Sequence, residues 1–354
     1  MDFSTLIQKK EKVVSKIQNI NFNHDHSKYW IESLFIHKSD MKFSGGDGSF
    51  NKIDYINYCL YLTGAVSYCQ SVGGTIEKSV SAFDGDIILP YKYVQNRLSR
   101  YMLNTELKVA LSNLIKSEID YYLYDGSLYS FLVQTNNHMT VNGKKLEETI
   151  FDYYKEYSRI IRSKIFEEIT SGCISSAVDI SFENSLNEEQ KIALEQLEYL
   201  ILLSEITKYQ KKMVGIAKTS KMNIYFENAL IPDLALFSRC KKSGYSIPVD
   251  LISEKVNKNF YKNVDYFKKF GIDLKNLYYQ FVKLEDNSGI LCATSFEKLD
   301  ETFYSNLKEI SVSGYPYILK KSHENVKIEN SDVLKFARLL GIYEESDRDS
   351  NLKF

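Results

Sequence analysis

The sequence predicts an α/β fold, a mixed sheet flanked by helices and enlarged by helical insertions, and three observations carry that reading. Residues from about 40 to 83 form three successive strand-like runs separated by glycine-rich or polar turns. Residues 92 to 116 then place Val94, Leu98, Leu107, Leu111 and Leu114 at helical intervals. The chain returns to a strand in EIDYYLYDGSL.

In order, the first strand spans about 40 to 46 and ends at an Asp-Gly-Ser triplet, GGDGSF, headed by Asp47. The second covers about 57 to 70, and GGTIEKSVSAF supplies the third after a glycine turn. A second Asp-Gly-Ser, headed by Asp125, closes the fourth. Three strands, a helix and a fourth strand is the opening order of an RNase H-like core, in which strands one and four pair in parallel. Their ends then meet, making Asp47 and Asp125 neighbours. Upstream, Phe3, Leu6, Val13, Val14, Ile17 and Ile20 among lysines suit an amphipathic helix over 3 to 20. Downstream, 135 to 210 reads as largely helical and KMVGIAK as a short strand. Short strands such as YYQFVKL and GILCATSF then alternate with helices as far as SDVLKFARLLGI.

Composition narrows the function classes. With 354 residues, 44% of them hydrophobic, the chain can bury a sizeable core. Forty-five basic against 46 acidic side chains leave no basic tail, so any polyanion must be met by a local patch. The five cysteines are scattered singly without metal-ligand spacing and read as free thiols in a reducing compartment. The longest apolar run, YLILL, is far short of the ~20 residues that cross a bilayer. The N-terminus has an early acid and no apolar core of a signal peptide, so a cytoplasmic protein with no membrane attachment is expected.

Asp-Gly is a common turn dipeptide. It also lets a chain turn after a strand and leave a carboxylate at the carboxyl edge of the sheet, where open α/β sheets place their ligands. Two copies behind two suitably ordered strands favour the second reading. Cutting a phosphodiester needs an activated water and neutralisation of the leaving oxygen, which paired divalent ions held by converging carboxylates supply. A third acid is expected from the intervening helix, and Glu106 lies on it between Leu103 and Leu107. A solvated helix carboxylate is the alternative. Glu118 competes for the place, but it lies roughly 20 Å of extended chain before Asp125. His323 follows SGYPYILKKS, where Gly314 and Pro316 fix a turn into a helix. Beside carboxylates, an imidazole suits Mn²⁺ better than Mg²⁺. The remaining histidines, His24, His26, His37 and His138, have no such setting.

Taken together, GGDGSF, Glu106 on its helix, YDGSL, MVGIAK and SGYPYILKKSHE resemble, in this order, the motifs of the NurA family of nucleases, in patches from about residue 40 to 335. The resemblance implies an RNase H-like core and a Mn²⁺-dependent nuclease, acting 5′–3′ on DNA ends and endonucleolytically on single strands. It implies a homodimer that works with a hexameric HerA-type ATPase in end resection, repair or defence against foreign DNA. It implies that Asp47, Glu106, Asp125 and His323 are metal ligands, that Tyr315 belongs to the catalytic site, and that Lys218 lies near the DNA backbone. It divides the chain into an N-terminal helical segment (1–39) for docking or dimer contact, a nuclease domain (40–343) with a helical insertion at about 135–210, and a tail (344–354). The segments 72–92 and 240–275 do not match.

On that basis Asp47 is expected to bridge two ions, with Glu106 and His323 completing one shell and Asp125 the other. Lys218 would orient the scissile phosphate. Tyr315 would stack on a base or hydrogen-bond a phosphate, or else pack within its turn. Lysines in KYQKKMVGIAKTSKMN, RCKK and KNVDYFKK, interleaved with aromatics, would line a groove for a single strand or form a solvated face. A rival reading keeps the scaffold as a non-cleaving DNA-binding adaptor for a partner ATPase. An actin-like phosphotransferase has less support, because no glycine-lysine phosphate loop is present.

Overall fold

The computed structural model describes residues 7, 9–19, 25–133, 140–141, 144–179, 187–227, 229–253 and 258–342. The elements run α1 (Lys10–Gln18), β1 (Trp30–Glu32), β2 (Lys42–Asp54), β3 (Cys59–Ser71), β4 (Ile76–Ile88), α2 (Val94–Lys116), β5 (Tyr121–Asp125) and α3 (Leu128–Val133). A small hairpin β6 (Thr140–Val141) and β7 (Lys144–Lys145) leads into α4 (Leu146–Ser171), α5 (Glu188–Ile206), a 3₁₀ turn at Thr207–Lys212 and β8 (Met213–Ala217). Then come α6 (Asp233–Phe237), β9 (Gly244–Ser246), β10 (Val249–Asp250), α7 (Lys258–Lys268), β11 (Tyr278–Lys283) and β12 (Leu291–Ser295). The last are α8 (Glu301–Glu309), β13 (Ser311–Val312), β14 (Tyr315–Pro316), α9 (Tyr317–Val326) and α10 (Asn330–Leu339).

Ten of these strands form one mixed sheet in the order β1-β9-β11-β12-β8-β5-β2-β3-β4, with β10 paired to β11. Antiparallel β2-β3-β4, crossover helix α2 and β5 parallel to β2 make the RNase H-like core. β8 then adds in parallel to β5, and β12 antiparallel to β8. One face is covered by α2, α4 and α5, the other by α8 and α9, and each face has its own apolar cluster.

One expected boundary is overturned. The first strand does not end at Asp47: β2 runs 13 residues straight through GGDGSF, paired to β3 along its whole length. Gly45, Gly46 and Gly48 keep extended backbone, and their work is steric. A Cβ on Gly45 would sit 2.9 Å from Leu319 of α9, and one on Gly46 would sit 2.4 Å from the Tyr122 hydroxyl. What does end at this point is the parallel pairing with β5, at Gly46 opposite Tyr124. At the other triplet the turn is real, with Gly126 at φ +147°. The N-terminal helix is shorter than 3 to 20 in its described part, and residues 3–6 lie outside the described residues. None of the α1 side chains is buried. His24, His138 and the tail also lie outside the described residues.

Helix α2 is buried on nearly every side because it lies between the sheet and the α4–α5 pair. Its polar groups are therefore matched across the helix interfaces. Arg97 pairs with Glu195 of α5 at 2.6 Å, and the fully buried Lys108 reaches both Glu168 of α4 and Glu198 of α5 at 2.7 Å. Asn113 bonds Ser67 and Ser79 on the sheet side. A lysine buried between two acids lowers the cost of burying all three, and removing it leaves uncompensated charge. Lys108→Met is therefore expected to cost about 3 to 5 kcal/mol of unfolding free energy in urea denaturation. A loss below about 1 kcal/mol would contradict this account of how α2 is held.

Candidate active site

Strand alternation decides which side chains can meet here. Along β2, Gly45 and Asp47 face α9, whereas Gly46 and Gly48 face α2. The parallel register carries the same parity onto β5, where Tyr122 and Tyr124 face α2, and Leu123 and Asp125 face α9. Asp47 and Asp125 therefore lie side by side on the α9 face. The β13–β14 hairpin turns through Ser313 at φ +54° and Gly314 at φ +75° and delivers the chain into α9. Two turns along that helix, His323 places Nδ1 2.7 Å from Asp47 Oδ2.

Asp47, Asp125 and His323 bring one ligating atom each to within 4.8 Å of one another. Both aspartates are largely covered while the imidazole is exposed, so the cluster opens toward solvent at His323. Burial raises the Asp47 carboxyl above its usual range, the His323 hydrogen bond opposes this, and the Asp125 charge adds to the rise. Two carboxylates and an imidazole form a donor set that fits Mn²⁺.

Glu106 is not among the three. It approaches from the other face of β2, through the gap that Gly48 leaves: a Cβ on Gly48 would lie 2.4 Å from Glu106 Oε1. It is buried, 7% exposed, so the solvated-helix alternative does not hold. Burial first, then the charges of Asp47 and Asp125, push its carboxyl well above the usual range, against hydrogen bonds from the Gly48 N–H and the Tyr124 hydroxyl. Among the described residues its Oε2 has no hydrogen-bond partner. An unsatisfied buried carboxylate oxygen beside two other acids is the orphan that a cation would satisfy. Glu118 precedes β5 at the end of the strand away from Asp125 and is not part of the cluster.

Lys218 follows β8 and rests its ammonium 3.7 Å from Asp125 Oδ2 and 4.2 Å from the centre of the Tyr315 ring. Tyr315 is not an open stacking platform. Its hydroxyl is buried, raised in pKa first by that burial and then by Asp125, and its ring packs on the α9-side cluster. The lysines around β8 fall into two groups, at opposite ends of that strand. Lys208, Lys211 and Lys212 precede the five-residue strand and Lys218 and Lys221 follow it, about 16 Å apart along extended chain. Lys211 pairs with Glu297 at 3.2 Å and Lys242 with Asp286 at 3.2 Å, as solvated-face lysines do.

Sequence reasoning missed Tyr124 and the role of Gly48. Tyr124 precedes Asp125 and reaches Glu106 on the opposite face. The alternation in YYLYD contains the signal, since it sets tyrosines and aspartate on opposite sides.

A Glu106 pKa raised above its unfolded value of 4.5 has a definite sign in folding. Between those two values the folded chain holds more protons than the unfolded one, so stability falls as pH rises through that window. Glu106→Gln is expected to flatten this slope and stabilise the metal-free protein at pH 7 by about 1 to 3 kcal/mol. Thermal melts of both proteins from pH 4.5 to 8 check this, and equal slopes would remove the claim that Glu106 is strained.

The chain matches the family model "NurA domain" over residues 41–328. It is 40% identical over 356 aligned residues to the probable DNA double-strand break repair nuclease NurA of Methanocaldococcus jannaschii, covering 95% of this chain and 88% of that one. The crystal structure of the NurA nuclease from Sulfolobus solfataricus superposes with a TM-score of 0.71 at 20% identity, covering 96% of this chain and 95% of that one. A NurA crystal structure with bound dAMP and manganese superposes with a TM-score of 0.68 at 15% identity, covering 99% of each chain. A family model spanning most of the sequence and a relative this similar over nearly its full length place the chain in the NurA family.

Proposed function

We propose that this chain is a metal-dependent deoxyribonuclease in which Asp47, Asp125 and His323 hold a divalent ion, Mn²⁺ in preference to Mg²⁺, and Glu106 helps to hold a second. The observation that carries this reading is the convergence of two aspartates and a histidine within 4.8 Å, with a buried, unsatisfied glutamate behind them. An adaptor that only binds DNA would be harmed by such a cluster, because clustered acids repel phosphate unless a cation neutralises them. The M. jannaschii relative is named as a DNA double-strand break repair nuclease, and the dAMP- and manganese-bound structure shares this chain's fold. Both support DNA as the substrate. The proposed task, 5′–3′ exonuclease action on DNA ends with single-strand endonuclease action, rests on the motif resemblance alone.

Bound metal supplies an activated water and neutralises the departing 3′ oxygen. The chain's own residues do the rest. The Asp47 hydrogen bond would hold the His323 ring in place as one of the groups that could bind the metal. Tyr124 holds Glu106, and the buried Tyr315 hydroxyl lies near Asp125 without a hydrogen-bond partner among the described residues. Lys218 has a side chain 53% exposed and, among the described residues, is tethered to Asp125 and the Tyr315 ring; it is proposed to swing onto the scissile phosphate.

The near-zero net charge favours a partner that feeds the strand, so a HerA-like hexameric ATPase is the proposed partner and a homodimer the proposed assembly. Helix α1, with Val13, Val14 and Ile17 all exposed, is the proposed docking element. A cytoplasmic location is proposed with it. No described helix is long and apolar enough to cross a membrane.

Purified protein is expected to degrade linear DNA with Mn²⁺, and Asp47→Ala to lower the rate by at least about 100-fold. Persistent cleavage in that variant removes the catalytic assignment, and binding without cleavage by the wild type turns the reading to the adaptor. Lys218→Met removes a cation that competes with metal at Asp125. Calorimetric titration is expected to show Mn²⁺ binding about twofold to fivefold tighter although cleavage falls. Weaker Mn²⁺ binding would count Lys218 as a structural group instead.

A further inference from the structure

Helix α9 carries His323, and one residue of its buried face breaks the apolar pattern. Ile318, Ser322 and Val326 follow one another at four-residue spacing along that face, with Leu319 beside them, and all four are buried. A serine thus sits in the middle of the stripe, where a large apolar side chain would ordinarily fill the interface. It is fully buried, and its hydroxyl lies 2.9 Å from the Ile318 carbonyl of its own helix and 3.1 Å from the Gly45 carbonyl of β2. The first contact is the usual back-bond of a serine within a helix. The second crosses to the sheet, two residues before Asp47.

Small residues meet at this crossing. Gly45 has no room for a Cβ, which would lie 2.9 Å from Leu319 and 3.2 Å from Ile318, so α9 rides close on the strand. Close approach is what His323 needs. It is the next residue along the helix, exposed, with Nδ1 2.7 Å from Asp47 Oδ2. The far end of α9 is tied to the same strand: the Ile328 N–H donates to Ser49 Oγ at 3.2 Å, and Asn51 Nδ2 donates to the Ile328 carbonyl at 3.2 Å and to Asn330 Oδ1 at 2.9 Å. Gly45, Asp47, Ser49 and Asn51 are alternate residues of β2, and they receive Ser322, His323, Ile328 and Asn330 in chain order. With both ends held in this register, a change in the height of α9 above β2 is not made up by sliding along the strand.

Resting on the ligand set of the nuclease reading, we propose that Ser322 is a positioning residue. It sets the height of α9 above β2, and through it the distance of the His323 imidazole from Asp47 and Asp125. It acts through His323 and touches neither metal nor DNA. Ser322→Ala removes the tie to Gly45 without adding bulk. Ser322→Val adds methyl groups where helix and strand are closest and lifts the imidazole away from Asp47.

The test is a double-mutant cycle read by calorimetric titration of the full chain with Mn²⁺, with no DNA present. Ser322→Val is expected to weaken Mn²⁺ binding by about tenfold or more, the size of effect seen when a group that orients a ligand is lost, and Ser322→Ala by about threefold. In the His323→Ala background neither substitution is expected to change the remaining affinity by more than about twofold, since the group being positioned is gone. Thermal melts check that each variant is folded at the titration temperature, and if Ser322→Val does not fold, Ser322→Ala carries the cycle. Equal weakening in both backgrounds overturns the proposal and makes Ser322 an ordinary packing residue. Unchanged affinity in Ser322→Ala and Ser322→Val also overturns it and leaves the nuclease reading standing. Coupling between positions 322 and 323, with no Mn²⁺-dependent DNA cleavage by the wild type, sustains the positioning role and removes the nuclease reading.

Discussion

The parallel pairing of β2 with β5 is the constraint on which the site depends. It brings two aspartates together on one face, Asp47 one residue past Gly46 and Asp125 one past that residue's partner, Tyr124. Like charges this close are unfavourable, and the surroundings answer that cost from three directions. His323 bonds Asp47, Lys218 approaches Asp125, and the opening toward solvent leaves room for a cation. The fold gains little from the arrangement and retains a site that favours positive charge.

Glycine makes the sheet thin enough for both faces to act on one point. Gly45 admits the apolar side of α9, so that His323 can reach over Asp47. Gly48 admits Glu106 from the far side, and an alanine there would drive a methyl group into the carboxylate. Helix α2 must then be held rigidly against the sheet. The buried Arg97–Glu195 and Lys108–Glu168–Glu198 contacts do this by tying α2 to α4 and α5. The helical segment after β5 thus has a part in placing Glu106, since two of its helices supply those acids.

The same topology separates residues that look adjacent in the chain. KYQKKMVGIAKTSK reads as one basic run, but its core is the strand β8, which carries the first lysines to one edge of the sheet and Lys218 to the other. Tyr315 has a comparable history. The Gly-Tyr-Pro turn is compatible with either an exposed or a packed aromatic, and the hairpin folds the ring onto the α9-side core with its hydroxyl near Asp125.

Local pattern was enough to read the strand-strand-strand-helix-strand order, both Asp-Gly-Ser aspartates as neighbours, and the turn that starts α9, because hydrophobic period, turn residues and chain order encode these directly. Pattern did not reveal that β2 continues through its glycines, since glycine at a turn and glycine at a close approach are the same letter. Nor did it place Glu106 behind the sheet or Tyr124 against it. Those depend on which face of β2 meets α2 and on how near the two backbones come, distances fixed only when sheet and helices pack together.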